Sequence, residues 1–138
     1  MKKGLILVIA ALTIPSVALA ATPTQNATPN GAPKVAYILK GTLSAYTAYN
    51  AGTLTNGSIT ILVKHSNYHA RALTTQTLTF AVTANTRISM ATGVTAIADG
   101  DNGIVKIRAA LRIPAADLAT TLQAAPARHI LDMGAPTP

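Results

Sequence analysis

The sequence contains no cysteine, no glutamate and no tryptophan, and only one phenylalanine. Each absence excludes something. Without cysteine there is no disulfide, no thiolate zinc centre, no thiol nucleophile and no lipid attached at cysteine. Without glutamate the acidic side chains are four aspartates, and Asp99 and Asp101 share one turn while Asp117 opens a helix. Paired-carboxylate catalysis therefore has little to work with. There is no G-x-S-x-G elbow and no glycine loop for phosphate. The expectation is a protein that is not an enzyme and carries no metal and no cofactor.

What is present is positive charge and a leader. Eleven Lys and Arg stand against four Asp, a net charge of +7. Lys2 and Lys3 precede an apolar stretch, Gly4 to Ile14, which Pro15 and Ser16 break. Ala18-Leu19-Ala20 follows as a small-x-small cleavage site. This order of parts reads as a secretory signal peptide over 1–20, cut between Ala20 and Ala21. An uncleaved anchor is the competing reading, but a spanning helix needs about 20 apolar residues and this run is interrupted at Thr13 and Pro15. The expected location is secreted, extracellular or in the cell envelope, with no integral membrane segment once the leader is removed. Nine cations then face four aspartates, a net of +5. Such a surface favours anionic partners: a cell-wall polymer, extracellular nucleic acid or lipid head groups.

Residues 21–34 are rich in Thr, Pro and Asn and have no large apolar side chain, so they read as a flexible spacer. From Val35 the pattern alternates with period two, the sign of half-buried strands. Strands are expected over 35–49, 58–65, 76–83, 86–90, 104–113 and 127–132. Gly41 interrupts the first, as a glycine at a bend or bulge does. Ile59, Ile61 and Val63 share one face, as do Leu78, Phe80 and Val82. Ile88 and Met90 are expected inward, with Val105, Ile107, Ala109, Leu111 and Ile113. Residues 66–73 break the alternation and read as a loop or one helical turn. Residues 99–103 read as a tight turn. Pro114 suits the start of a short helix, Asp117 its first turn, and Leu118 and Leu122 one apolar face. The expected domain covers 35–133, with a tail over 134–138. Many short strands in about 100 residues suggest a small five- or six-stranded OB-like barrel with one short C-terminal helix, or alternatively a β-sandwich.

The segments Gly41-Thr42-Leu43, Ile59-Thr60-Ile61-Leu62-Val63, His69-Ala70-Arg71-Ala72-Leu73, Thr79-Phe80-Ala81-Val82 and Thr86-Arg87-Ile88 resemble a family of uncharacterised bacterial secreted domains, found especially in actinobacteria. Gly100 to Arg108 resembles a later element of that family with shifted spacing. The resemblance spans roughly residues 37–133. It implies a small OB-like barrel and carries no catalytic residues to transfer.

Three constellations bear on chemistry. His65 and His69 stand four apart, a spacing that pairs ligands only on a helix, and no acid lies nearby in sequence. Asp99, Asp101 and Asn102 suggest a calcium loop, but Gly103 and Ala110 occupy positions five and twelve, where ligands are needed. A plain turn is the expectation. Lys106, Arg108 and Arg112 fall on the polar side of one strand and would form a basic stripe about 20 Å long. Such a stripe suits a polyanion backbone. Tyr37, Tyr46, Tyr49 and Tyr68 would be stacking platforms beside it or plain strand-edge tyrosines. The expected function is a non-catalytic binding module for anionic envelope or extracellular polymers. The alternative is a structural subunit of an extracellular assembly.

Overall fold

The computed structural model describes residues 33–138. The leader, its Ala20–Ala21 junction and the spacer up to residue 32 lie outside the described residues. Six strands follow in order: β1 Lys34–Thr47, β2 Gly57–Ser66, β3 Thr77–Val82, β4 Arg87–Met90, β5 Asn102–Ala110 and β6 His129–Gly134. A 3-10 helix, Tyr68–Leu73, links β2 to β3. A 3-10 turn, Ala115–Asp117, leads into α1, Leu118–Gln123. All six strands belong to one sheet, ordered β3-β2-β1-β5-β6-β4. Neighbours run antiparallel except β4 and β6, which are parallel.

Alternation turns one face of this sheet into a core. Tyr37, Leu39 and Leu43 from β1, Ile59, Ile61 and Val63 from β2, and Leu78, Phe80 and Val82 from β3 are buried. Val105 and Ile107 from β5 and Ile130 from β6 complete the row. Ala70 and Leu73 of the first 3-10 helix and Leu118 and Leu122 of α1 cover that face. Each large side chain so buried contributes about 1.5–3 kcal/mol. Leu118 and Leu122, one turn apart, explain why a six-residue helix persists: its apolar face, not its length, holds it.

β1 is long because it pairs with two strands, β2 on one side and β5 on the other. Its register against β2 slips between Lys40 and Gly41. Gly41 is required there, since a Cβ would collide with the Leu62 carbonyl and approach the Lys64 nitrogen at 3.0 Å. Further along, β1 turns through Ala45 at φ 50°, a left-handed conformation that alanine adopts at a cost. The 99–101 turn holds it there. Asp99 Oδ1 accepts the Ala45 N–H at 2.8 Å. The Leu43 N–H donates to the Asp101 carbonyl at 2.7 Å, and the Gly100 N–H to the Leu43 carbonyl at 2.9 Å.

The expected closure into a barrel does not occur: the six strands form one open hydrogen-bonded order. β3 and β4 are the two ends of the sheet. The free edge of β3 is occupied by other groups: Gln123 Oε1 accepts the Thr79 N–H at 2.9 Å, and the Ala127 N–H donates to the Ala81 carbonyl at 3.0 Å. β4, at the far end, pairs with β6 instead. Two inward expectations also change. Ile88 and Met90 are 36% and 39% exposed, because β4 is a terminal strand and the covering helices lie over the β1–β3 half. β5 stops at Ala110 rather than at Ile113. There the Tyr37 hydroxyl donates to the Ala110 carbonyl at 2.6 Å and the Leu111 N–H turns to the Pro33 carbonyl. At the chain end, Gly134 belongs to β6 and not to the tail.

Candidate functional site

The sheet face opposite the core is polar and cationic. On β5, Lys106 and Arg108 point to this face, as the alternation predicts. Arg112 does not join them. It lies past the end of β5, in a groove with Tyr68, His69, Arg71, Leu111, Ile113 and Pro114. The stripe along one strand is therefore two residues long.

Strand pairing builds a different array, across the sheet. Arg87 of β4 lies opposite His129 of β6, and His129 lies opposite Lys106 of β5. On the next two strands, Lys40 of β1 lies opposite His65 of β2, with Lys64 beside it. Lys34 and Arg108 line a groove with Arg128 and Pro126. Neighbouring strands are about 4.8 Å apart, so basic residues on five of them span about 19 Å. No carboxylate of the described residues shares this face. Asp132 and Asp101 are buried on the core side, Asp99 binds the Ala45 N–H, and Asp117 stands at the N-terminus of α1.

Like charges placed directly across strands repel and destabilise a sheet. The effect is visible at His129, whose pKa is pushed below the ordinary 6.5 by burial first, and then by Lys106 and Arg87. The neutral imidazole bonds to Ser89, with Oγ and Nε2 2.9 Å apart. The rest of the face is hydroxylated or apolar: Thr60 and Thr79 are linked at 2.9 Å, and Leu62 is 41% exposed.

The other singled-out residues separate. His65 belongs to the cationic face. His69 meets Tyr37 edge-on with ring centres 6.0 Å apart, on the core side of β1. Tyr37 is buried, and burial raises its pKa; Tyr46 is half-buried with a pKa raised for the same reason. Tyr49 packs at the core margin. Tyr68 alone is strongly exposed, with the Arg71 guanidinium 4.6 Å above its ring.

Reasoning along the chain singles out Lys106 and Arg108 but misses Lys34, Lys40, Lys64, Arg87 and His129. Each is on the polar side of its own strand, and that much is visible in the alternation. Their convergence depends on strand order, which the alternation does not encode. Compared with protein-family models, with curated proteins and with solved structures, the chain matches none.

Proposed function

We propose that this protein is a secreted, non-catalytic module that binds an anionic polymer of the cell envelope or extracellular space through the outer face of its sheet. The observation that carries this reading is the row Arg87–His129–Lys106, three basic side chains in direct cross-strand register with no carboxylate among them. Apart from the His129–Ser89 bond, that arrangement only brings cations near one another across the strands. A polyanion laid across the strands relieves the repulsion and releases its own counterions. Lys40, Lys64, His65, Lys34 and Arg108 extend the track to either side.

The test is the salt dependence of binding of the purified protein to nucleic acid and to cell-wall polyanions, followed by anisotropy. Binding that weakens steeply with salt supports the reading. Absence of binding at low salt removes it.

A second reading, a structural subunit of an extracellular assembly, is favoured by β4. It is the terminal strand, and Ile88 and Met90 are exposed along it. An open apolar strand edge is a template for pairing. A mass by light scattering that grows with concentration would favour this reading; a monomer at all concentrations would not.

The topology also supports an OB-like plan of the partly open kind. β1 serves both halves of the sheet, and the Ala127 N–H to Ala81 carbonyl bond brings β3 beside the entry to β6. Membership of the secreted bacterial family that the sequence resembles is proposed on the same ground.

A further inference from the structure

Two irregularities in the sheet lie side by side. Between β1 and β2 the register moves from Lys40↔His65 to Gly41↔Val63, so Lys64 is an extra residue with no partner. Between β5 and β6 it moves from Asn102↔Gly134 to Gly103↔Asp132, so Met133 is extra there. A bulge of this kind kinks its strand and re-aims a side chain. Here the first bulge brings Lys64 and His65 to the same side of β2, next to Lys40. The second opens the sheet beside them. The result is a hollow of about 240 Å³ lined by Lys40, Gly41, Lys64, His65, Asn102 and Met133.

The chemistry of the lining is one-sided. Two ammonium groups, an imidazole and a carboxamide offer donors around the hollow, and no carboxylate lines it. Gly41 leaves the β1 backbone bare where the two bulges meet, and no other residue fits its place against the Leu62 carbonyl. There is no arginine, so the planar fork that recognises carboxylates bidentately is missing. Lysine is a compact point charge with three donors, suited to a group that offers acceptors in several directions. The volume is below the range of about 300–1,000 Å³ that houses a drug-sized ligand. It fits one small group rather than a whole sugar or base.

We propose that this double-bulge hollow is a seat for a single tetrahedral oxyanion, a phosphoryl group, bound by Lys40, Lys64, His65 and Asn102. The inference rests on the reading of the outer face as a polyanion surface and makes it specific. A phosphodiester polymer places one phosphate in the hollow while neighbouring charges follow the cross-strand row. Polycarboxylates have no group of that shape to place there. The same chemistry admits free phosphate.

The experiment is a two-dimensional NMR titration of the purified protein with inorganic phosphate, with a phosphodiester polymer and with poly-glutamate. Phosphate and the phosphodiester are expected to shift the signals of Lys40, Lys64, His65 and Asn102 saturably. Poly-glutamate is expected to shift Lys106 and Arg108 and leave the hollow unmoved. Lys64→Gln should weaken phosphate binding about tenfold, the loss of one charge-assisted bond. Arg112→Gln, in the Tyr68 groove past the end of β5, should leave phosphate binding within about twofold. If the phosphodiester saturates the hollow and free phosphate does not, the polymer is the source of the group; the reverse assigns the site to the free ion. If polyanions bind but all three titrants move every surface lysine alike, the hollow is not a site and the basic-face reading stands. If neither phosphate nor any polymer binds, both fall.

Discussion

Asp132 and Asp101 are buried carboxyl beside carboxyl on the core side of β5 and β6, and one oxygen of Asp132, Oδ2, has no hydrogen-bond partner. Two of the other three oxygens accept backbone N–H groups. Asp132 Oδ1 accepts the Gly134 N–H at 2.8 Å, and Asp101 Oδ2 accepts the Ala98 N–H at 3.0 Å. Burial raises the Asp132 pKa above its ordinary 3.8; the Gly134 bond opposes this, and the neighbouring Asp101 adds to it. A proton on Oδ2 supplies the missing donor to Asp101. The folded state therefore holds this proton more tightly than the unfolded chain does. The contribution is fully present below pH 3.8 and is lost as pH rises through the folded value. The Asp132 share of the urea midpoint should fall as pH rises above 3.8, against the opposite slope that His129 adds at higher pH. Asp132→Asn keeps the Gly134 bond and supplies a permanent donor. It should flatten that slope and raise stability at pH 7 by about 1–3 kcal/mol. An unchanged slope in the variant would show that the pH dependence arises elsewhere.

His129 reports on the cationic row. Its pKa is depressed by burial and then by Lys106 and Arg87. The sign is opposite to that of Asp132. Stability from the neutral imidazole is present above pH 6.5 and lost as pH falls through the lowered value. A polyanion over the row neutralises Lys106 and Arg87, so the His129 pKa should rise when the polymer binds. Following the imidazole C–H resonances across pH, with and without polymer, reads this directly. An identical titration in both states would place the polymer away from the row.

The cross-strand arrangement separates residues that are close in sequence. Lys106→Ala with Arg108→Ala removes two cations from the outer face. The slope of log K against log salt should fall by about 0.7–0.9 for each phosphate no longer neutralised. Arg112→Ala removes a cation of the Tyr68 groove, past the strand end, and should leave the slope unchanged. If Arg112→Ala reduces the slope as much as the pair does, the polymer runs along the chain direction of β5 instead of across the strands.

Much of the fold is legible in the alternation. Ile59-x-Ile61-x-Val63 and Leu78-x-Phe80-x-Val82 place their apolar residues in the core because period two admits no other burial of one face. The short helix follows from Pro114 and the Leu118–Leu122 pair. The sheet's openness is less legible. It depends on Gln123 and Ala127 satisfying the β3 edge, through bonds that join residues 44 apart by a side chain and 46 apart by the backbone. The true end of β5 depends on the Tyr37 hydroxyl 73 residues away. The site is the least legible part. Arg87, His129 and Lys106 become neighbours only through the pairing of β4 with β6 and β6 with β5, and Lys64 joins Lys40 only through a bulge.

Gly41 is where fold and proposed site meet, and its substitution tests both. A Cβ there collides with the carbonyl of Leu62, a backbone group that no rotamer change can remove. To admit it, β1 must move off β2, although β1 carries Leu39 and Leu43 at 0% exposure and pairs with strands on both sides. Overpacking of this kind costs about 1–3 kcal/mol, and its backbone origin places Gly41→Ala at the upper end. Gly52→Ala is the control. Its Cβ would meet only the Asn50 side chain, at 3.3 Å, so its effect should stay within about 0.5 kcal/mol. Urea denaturation of the two variants separates the cases. Equal midpoints would mean that β1 and β2 tolerate another register, and the bulge that turns Lys64 and His65 toward Lys40 would then be a soft feature. A large loss of stability confined to Gly41→Ala would mean the bulge is held rigidly by the central strand, which is what a preorganised oxyanion seat requires.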